Sequence, residues 1–310
     1  MKILKLKESI ILMGLFAFSC TSNDANGKHS DTDTSKNSGS QANETTSKKS
    51  FKYDLDHPQK KWKLIPDLLE ISGNTMVDEN HLLVIEDLRP DLYLLRLDAD
   101  TAVVEKKVRF KDEKPGEKFD VEDVTLVNNT VYALWSHGAI FKINDWQGKP
   151  DVKEIKTFLK KENNTEGICY DPVTKNLLVT CKGASDVEDE KKSTRAVYEY
   201  DLSGDSLKSE PFMLIHKKDF KKASDEKVEF YPSAIAVHPI THDIYILGTK
   251  DSKGMAVFTH SGELISFNLI DKEVLPQPEG ICFSPDGTLY ISTEGKEGGA
   301  GYLCRYDFAK

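Results

Sequence analysis

The sequence predicts an all-β chain folded as a β-propeller, with five four-stranded blades closed by an N-terminal strand. Three observations carry this. First, a string recurs: residues 165–172 read TEGICYDP, residues 278–285 read PEGICFSP, and a weaker copy at 232–239 reads PSAIAVHP. Second, each copy runs through a turn into a β-rich stretch, LLVT at 177–180, LYIS at 289–292 and IYIL at 244–247. Third, from residue 51 short strand-like runs alternate with turns, and no 3.6-residue apolar stripe interrupts them. A unit of four strands repeated at this length is the signature of a propeller, whose blades stand radially around a channel.

Taken in order, residues 1–19 form a targeting segment. Lys2, Lys5 and Lys7 make a positive start, and Ile10 to Phe18 form an apolar stretch too short to span a bilayer. The stretch ends on Ala17-Phe18-Ser19-Cys20, which looks like the lipobox of a bacterial lipoprotein, although Phe18 is larger than usual there. Cys20 would then carry the lipid, and several acyl chains on one cysteine meet the requirement for stable anchoring. An ordinary cleaved signal peptide is the plainer alternative. Residues 20–50 hold no aromatic or large aliphatic side chain after Cys20 and read as a disordered tether. Asp31-x-Asp33 hints at a calcium loop, but Lys36 stands where such a loop needs glycine.

Residues 51–310 form the propeller domain. The first unit runs from Glu70-Ile71-Ser72-Gly73 through HLLVIED (81–87), DLYLLRLD (91–98) and EKKVRF (105–110). The second comprises DVEDVTLV (120–127), TVYALWSH (130–137), GAIFKIND (138–145) and VKEIKTFL (152–159). The third starts at Thr165 and continues through RAVYEYDL (195–202) and PFMLIH (211–216); the fourth starts at Pro232 and includes GMAVFTHS (254–261) and ELISFNLI (263–270). The fifth starts at Pro278 and ends on GYLCRYDF (301–308), one strand short. KWKLI (61–65), or the stretch from Phe51, can supply it across the seam and so remove two exposed sheet edges. Six blades is the runner-up count. With Glu70, Glu122, Glu166, Ser233 and Glu279 as equivalents, the spacings are 52, 44, 67 and 46. The long interval holds a charged insertion (184–194) and a Lys-rich connection (217–227), both read as solvated loops.

Glu70-Ile71-Ser72-Gly73, Asp120-Val121-Glu122-Asp123, the two Glu-Gly-Ile strings and Ser233-Ala234-Ile235-Ala236 together resemble the SdiA-regulated (YjiK-like) β-propeller family over about residues 60–308. The resemblance implies a propeller with a calcium site and assigns no reaction.

Propeller geometry collects two rings on one face, because the start of each inner strand and the end of the next emerge together. The inner ring is Glu70, Glu122, Glu166, Ser233 and Glu279. The outer ring is Asp87, Ser136, Lys182, Thr249 and Glu294, with Glu86, His137 and Lys250 beside it. Four carboxylates near one axis cannot all stay charged without compensation. A calcium ion held by Glu70, Glu122, Glu166 and Glu279 is one resolution. A cationic ligand or Lys182 is another, and hydrogen bonds from backbone N–H groups a third. Asp87, His137, Lys182, Ser233 and Glu294 are the candidate ligand contacts; His137 is either a general base or a rim histidine facing water. His238 falls in a turn on the opposite face, with a structural role expected.

Composition narrows the function. The formal charge is −9, and the first 19 residues carry +2, so the remainder stands at −11. An acidic chain without a basic stripe excludes nucleic acid as the expected partner. Cys169, Cys181, Cys282 and Cys304 contain no Cys-x-x-Cys and are expected as buried free thiols rather than zinc ligands. No Gly-x-Ser-x-Gly or His-Glu-x-x-His occurs, and the glycines at 295–301 lack the Lys-Ser/Thr of a phosphate loop. Two functions follow. One is a calcium-loaded binding module for a small molecule or protein, lipid-anchored in the bacterial envelope at the outer membrane or cell surface. The other is a calcium-dependent hydrolase of phosphoesters or lactones using the same acidic face.

Overall fold

A computed structural model describes residues 51–309 except 114–117, 186, 188–193, 224–227 and 296–298. The segments expected as signal peptide and tether, with Cys20, lie outside the described residues.

Blade 1 consists of β2 (Ile71–Met76), β3 (His81–Glu86), β4 (Asp91–Leu97) and β5 (Ala102–Arg109), and blade 2 of β6 (Val121–Val127), β7 (Thr130–Trp135), β8 (Ile140–Asn144) and β9 (Asp151–Ile155). Blade 3 comprises β10 (Thr165–Asp171), β11 (Asn176–Cys181), β12 (Thr194–Asp201) and β13 (Ser206–His216). Blade 4 comprises β14 (Pro232–Val237), β15 (Ile244–Gly248), β16 (Gly254–Phe258) and β17 (Leu264–Leu269). Blade 5 holds β18 (Gln277–Phe283), β19 (Leu289–Glu294) and β20 (Tyr302–Tyr306), and its outermost strand is β1 (Lys60–Lys63). All pairings are antiparallel, and β1 lies on β20 with Trp62 opposite Leu303. The count is five, and KWKLI supplies the missing strand as the sequence suggested.

The inner strands β2, β6, β10, β14 and β18 touch in a closed ring. Five hydrophobic clusters fill the gaps between successive blades, among them Leu83, Ile85 and Val124 between blades 1 and 2, and Trp62, Val84 and Tyr290 between blades 5 and 1. Each blade is thus buried on both faces, which is why its second strands read as unbroken apolar runs rather than alternating ones. The outermost strands face water, as in β9, where only Ile155 is fully buried. Cys169, Cys181, Cys282 and Cys304 are all free and buried, as expected.

The seam is fastened a second time by the N-terminal stretch. Tyr53 donates to the Gly287 carbonyl at 2.6 Å and lies 2.9 Å from His238 Nε2. Nδ1 of His238 accepts from the N–H groups of Ile240 and Thr241, so Nε2 carries the proton and donates to Tyr53. His238 is fully buried and structural.

One expectation changes. The Lys-rich connection is not wholly a solvated loop: residues Lys217–Ala223 form a short helix, α1. Phe220 is its anchor, buried against Phe230 at 4.9 Å and edge-on to Phe267 at 5.3 Å. A single buried aromatic among lysines gives too little periodicity to read in sequence.

Candidate functional site

Every inner strand carries a β-bulge at its start. The register skips Glu122 between Val121 and Asp123, Glu166 between Thr165 and Gly167, Ser233 between Pro232 and Ala234, and Glu279 between Pro278 and Gly280. In blade 1 the skipped pair is Ser72-Gly73, between Ile71 and Asn74. A bulge turns one side chain out of the ladder, and here it sends each glutamate to the channel mouth. The next residue lies where inner strands of neighbouring blades meet. At Gly167 a Cβ would come within 2.9 Å of the Ile235 nitrogen and 3.0 Å of the Ala234 Cα. The recurrent Glu-Gly thus joins an outward carboxylate to a close backbone approach.

This register corrects the inner ring. Ser72, not Glu70, is the equivalent of Glu122, Glu166, Ser233 and Glu279. Glu70 falls two residues earlier, in a flanking position shared with Asp120, Asn164, Tyr231 and Gln277. Aligning the strings on glycine instead of glutamate would have found Ser72. The register places the outer ring together: Asp87, Ser136, Lys182 and Thr249 each follow the last paired residue of a second strand, and Glu294, in the same position of blade 5, is itself paired with Gln277.

The flanking and outer positions bond to one another. Ser136 donates to Asp120 Oδ2 at 2.5 Å, and Gln277 Nε2 donates to Glu294 Oε2 at 2.6 Å. Asp120 is a site residue the sequence reading quoted without assigning. Its field and that of Glu70 add to burial in lifting Asp87 to a pKa of about 6. Burial, with Glu70 and Asp87 next, lifts Glu294 to about 7.

At the centre, Glu122, Glu166 and Glu279 face one lysine. Lys182 Nζ lies 3.1 Å from Glu166 Oε2, and Asn164 donates to the other oxygen of that carboxylate. Burial pushes the carboxyl pKa of all three glutamates up, Glu279 to about 8, and mutual repulsion adds to it, while Lys182 pulls the other way. Burial likewise works against the Lys182 ammonium, but Glu166, Glu279 and Glu122 together outweigh it and hold its pKa above the ordinary lysine value. Lys182→Met should therefore lower the melting temperature at pH 8 by an amount worth about 2 kcal/mol, since removing one partner strands the others. At pH 5, where the glutamates are largely protonated, the loss should be small; thermal scans at the two values check it.

Among the described residues no three His, Cys, Asp or Glu side chains close around a point suited to a metal ion. The carboxylates of Glu122, Glu166 and Glu279 lie around an ammonium instead, and Glu166 is already engaged on both oxygens. The donor set for calcium is therefore not assembled in this arrangement.

Below the mouth lies Asp123, fully buried, where the other inner strands have glycine or alanine. Its carboxylate accepts from Val124 N and Ile168 N, both at 2.8 Å, tying blade 2 to blade 3; burial nonetheless pushes its pKa well up. His137 is exposed at the rim and packs on Trp135, ring centroids 4.4 Å apart. Ser233 is buried and donates to the Pro278 carbonyl at 3.2 Å, so it fastens blade 4 to blade 5.

The fold and the site together define a closed five-bladed propeller whose inner-strand bulges aim carboxylates at one channel mouth. The chain belongs to the SdiA-regulated family, whose profile matches residues 44–296. Among solved structures it is similar to the glutaminyl cyclase of Myxococcus xanthus, at 13% identity over 82% of this chain and 96% of that one, with a TM-score of 0.54. It is also similar to a gluconolactonase of Xanthomonas campestris (13%, 76% and 72%, TM-score 0.45) and to virginiamycin B lyase of Staphylococcus aureus (14%, 81% and 74%, TM-score 0.43). The cyclase likeness shows a shared fold and nothing of activity, and the other two carry no argument. No curated protein matches the chain.

Proposed function

We propose that the protein is a binding module whose acidic channel mouth receives a positively charged group. The observation that carries this is the charge imbalance at the mouth. Glu70, Asp87, Asp120, Glu122, Glu166, Glu279 and Glu294 interact with one another, and Lys182 is the cation that acts on Glu122, Glu166 and Glu279. Carboxylates held partly protonated by burial and by their neighbours must release protons when a cation arrives, so its binding should strengthen as pH rises. The lipobox-like end at Cys20 and the stretch after it, without aromatic or large aliphatic side chains, support a further part of the proposal, attachment to the bacterial envelope by a lipid. The hydrolase alternative needs metal ligands that the described residues do not bring together, so binding is the reading favoured.

The test is a calorimetric titration at pH 7 with calcium and, separately, with methyl 6-aminohexanoate, an organic ammonium without a carboxylate. Saturable heat from either probe, lost in the Glu122→Gln, Glu279→Gln double variant, is the expected result. Absence of heat from both at millimolar concentration overturns the cation reading. Turnover of a phosphoester or lactone that Glu166→Gln abolishes would replace binding by catalysis.

A further inference from the structure

The acidic residues do not surround the mouth evenly. Blades 5, 1 and 2 supply Glu279 and Glu294, Glu70 and Asp87, and Asp120 and Glu122. In the sector of blades 3 and 4 the flanking positions are Asn164 and Tyr231, the outer positions are Lys182 and Thr249, and the blade 4 bulge is Ser233. A cavity of about 400 Å³ opens in this sector, lined by Asn164, Lys182, Arg195, Tyr231 and Lys250 with the backbone of residues 183–184. Among the described residues its lining includes three cations and no carboxylate.

Two of those cations share one aromatic ring. The Arg195 guanidinium lies 4.7 Å from the centre of the Tyr231 ring and the Lys250 ammonium 5.0 Å from it. Arg195 Nη1 donates to the Thr194 carbonyl, which orients the group, while its buried Nε has no hydrogen-bond partner among the described residues. Tyr231 gathers like charges through its ring face, and among the described lining residues no carboxylate neutralises them. An oxyanion would satisfy the guanidinium fork and both ammonium groups together.

We propose that this cavity is an anion subsite for a carboxylate or phosphate, and that the face as a whole takes a dipolar ligand. Its anionic end would meet Arg195, Lys250 and Lys182, and its cationic end the glutamates. The second half of this statement rests on the acidic-mouth reading; the cavity itself does not. Lys182 lines both halves and couples them: a cation that displaces it from Glu166 frees its charge for the anion.

The test compares four probes by calorimetry at pH 7: 6-aminohexanoate, hexanoate, methyl 6-aminohexanoate and inorganic phosphate. We expect 6-aminohexanoate to bind at least tenfold more tightly than hexanoate or the ester. The Arg195→Gln, Lys250→Gln double variant should lose the advantage over the ester and keep a wild-type melting temperature. Whichever of hexanoate and phosphate binds more tightly identifies the anion the cavity favours. Hexanoate or phosphate binding that the double variant abolishes, with no response to the ester, upholds the anion subsite and removes the dipolar ligand. Ester binding that neither a carboxylate nor the double variant alters overturns the anion subsite and leaves the cation reading intact. Silence from all four at millimolar concentration overturns the anion subsite and the dipolar ligand together.

Discussion

Replacing Glu279 with Gln is expected to raise the melting temperature at pH 8 and to leave it nearly unchanged at pH 5. Glu279 is 8% exposed, and burial, set against the pull of Lys182 and reinforced by Glu166 and Glu294, carries its folded-state pKa from 4.5 to about 8. A carboxyl group whose pKa is raised by folding adds stability that is fully present below the unfolded value and is lost as pH climbs through the folded value. Between pH 4.5 and pH 8 the wild-type protein therefore loses stability at this position, while an uncharged glutamine does not. Each pKa unit corresponds to about 1.4 kcal/mol, but local relaxation around the charged form recovers part of that. A gain of about 1–2 kcal/mol at pH 8 is expected, which for a domain of this size means about 2–8 °C. Differential scanning calorimetry at both pH values checks it. An equal effect at pH 5 and pH 8 would mean that packing rather than charge at Glu279 decides the outcome.

The same titrations give the whole molecule an asymmetric pH profile. Asp87, Glu279 and Glu294, with pKa values lifted to about 6, 8 and 7, favour folding at lower pH. Asp205 works the other way: Lys142 and Lys153 hydrogen-bond its carboxylate and hold its pKa down to about 2, so its contribution is lost only as pH falls through that value. The acidic mouth is thus strained at neutral pH while the blade exteriors are not. That placement fits a face meant to meet a cation better than one meant to hold the fold together.

The architecture was legible because the repeat writes itself into the chain at every level. Glu-Gly-Ile marks the bulge, the apolar runs mark strands covered on both faces, and the missing fourth strand of blade 5 called for Trp62 and its neighbours. The outer ring was equally readable, since hairpin register carries Asp87, Lys182 and Glu294 to one face. What could not be read was the position of each bulge relative to its glutamate. Ser72 keeps the bulge without the carboxylate, and Glu70 offers a carboxylate two residues away, so matching by residue type chose wrongly. The basic sector escaped for a different reason. Arg195, Tyr231 and Lys250 lie at three unrelated places in the sequence, and only the packing of blade 3 against blade 4 brings them to one cavity.

Gly73→Ala is expected to be among the most costly small changes at the channel. A Cβ there would lie 2.1 Å from Asp123 Oδ1, 2.5 Å from the Asp123 Cα and 2.7 Å from the Val124 nitrogen. Two of those atoms are backbone of the neighbouring inner strand, so no rotamer change relieves the overlap, and blade 2 must move away from blade 1. Moving Asp123 also endangers the acceptor for Ile168 N, so the disturbance reaches blade 3. Overpacking of a dense interior costs about 1–3 kcal/mol, and leaving a buried N–H unpaired adds about 1–3 kcal/mol. We expect a loss of at least about 3 kcal/mol. Gly167→Ala should cost less, because its nearest contact, at 2.8 Å, is the Thr180 methyl group and the backbone contacts begin at 2.9 Å. Gly204→Ala, whose nearest neighbour is a turn carboxylate at 3.1 Å, should be close to neutral. Adding Asp123→Gly to Gly73→Ala removes the carboxylate overlap but not the Cα overlap, so only part of the loss should return. Urea unfolding of the three single variants and the double variant orders them, and a Gly73→Ala protein as stable as Gly204→Ala would mean that blades 1 and 2 do not meet at this layer.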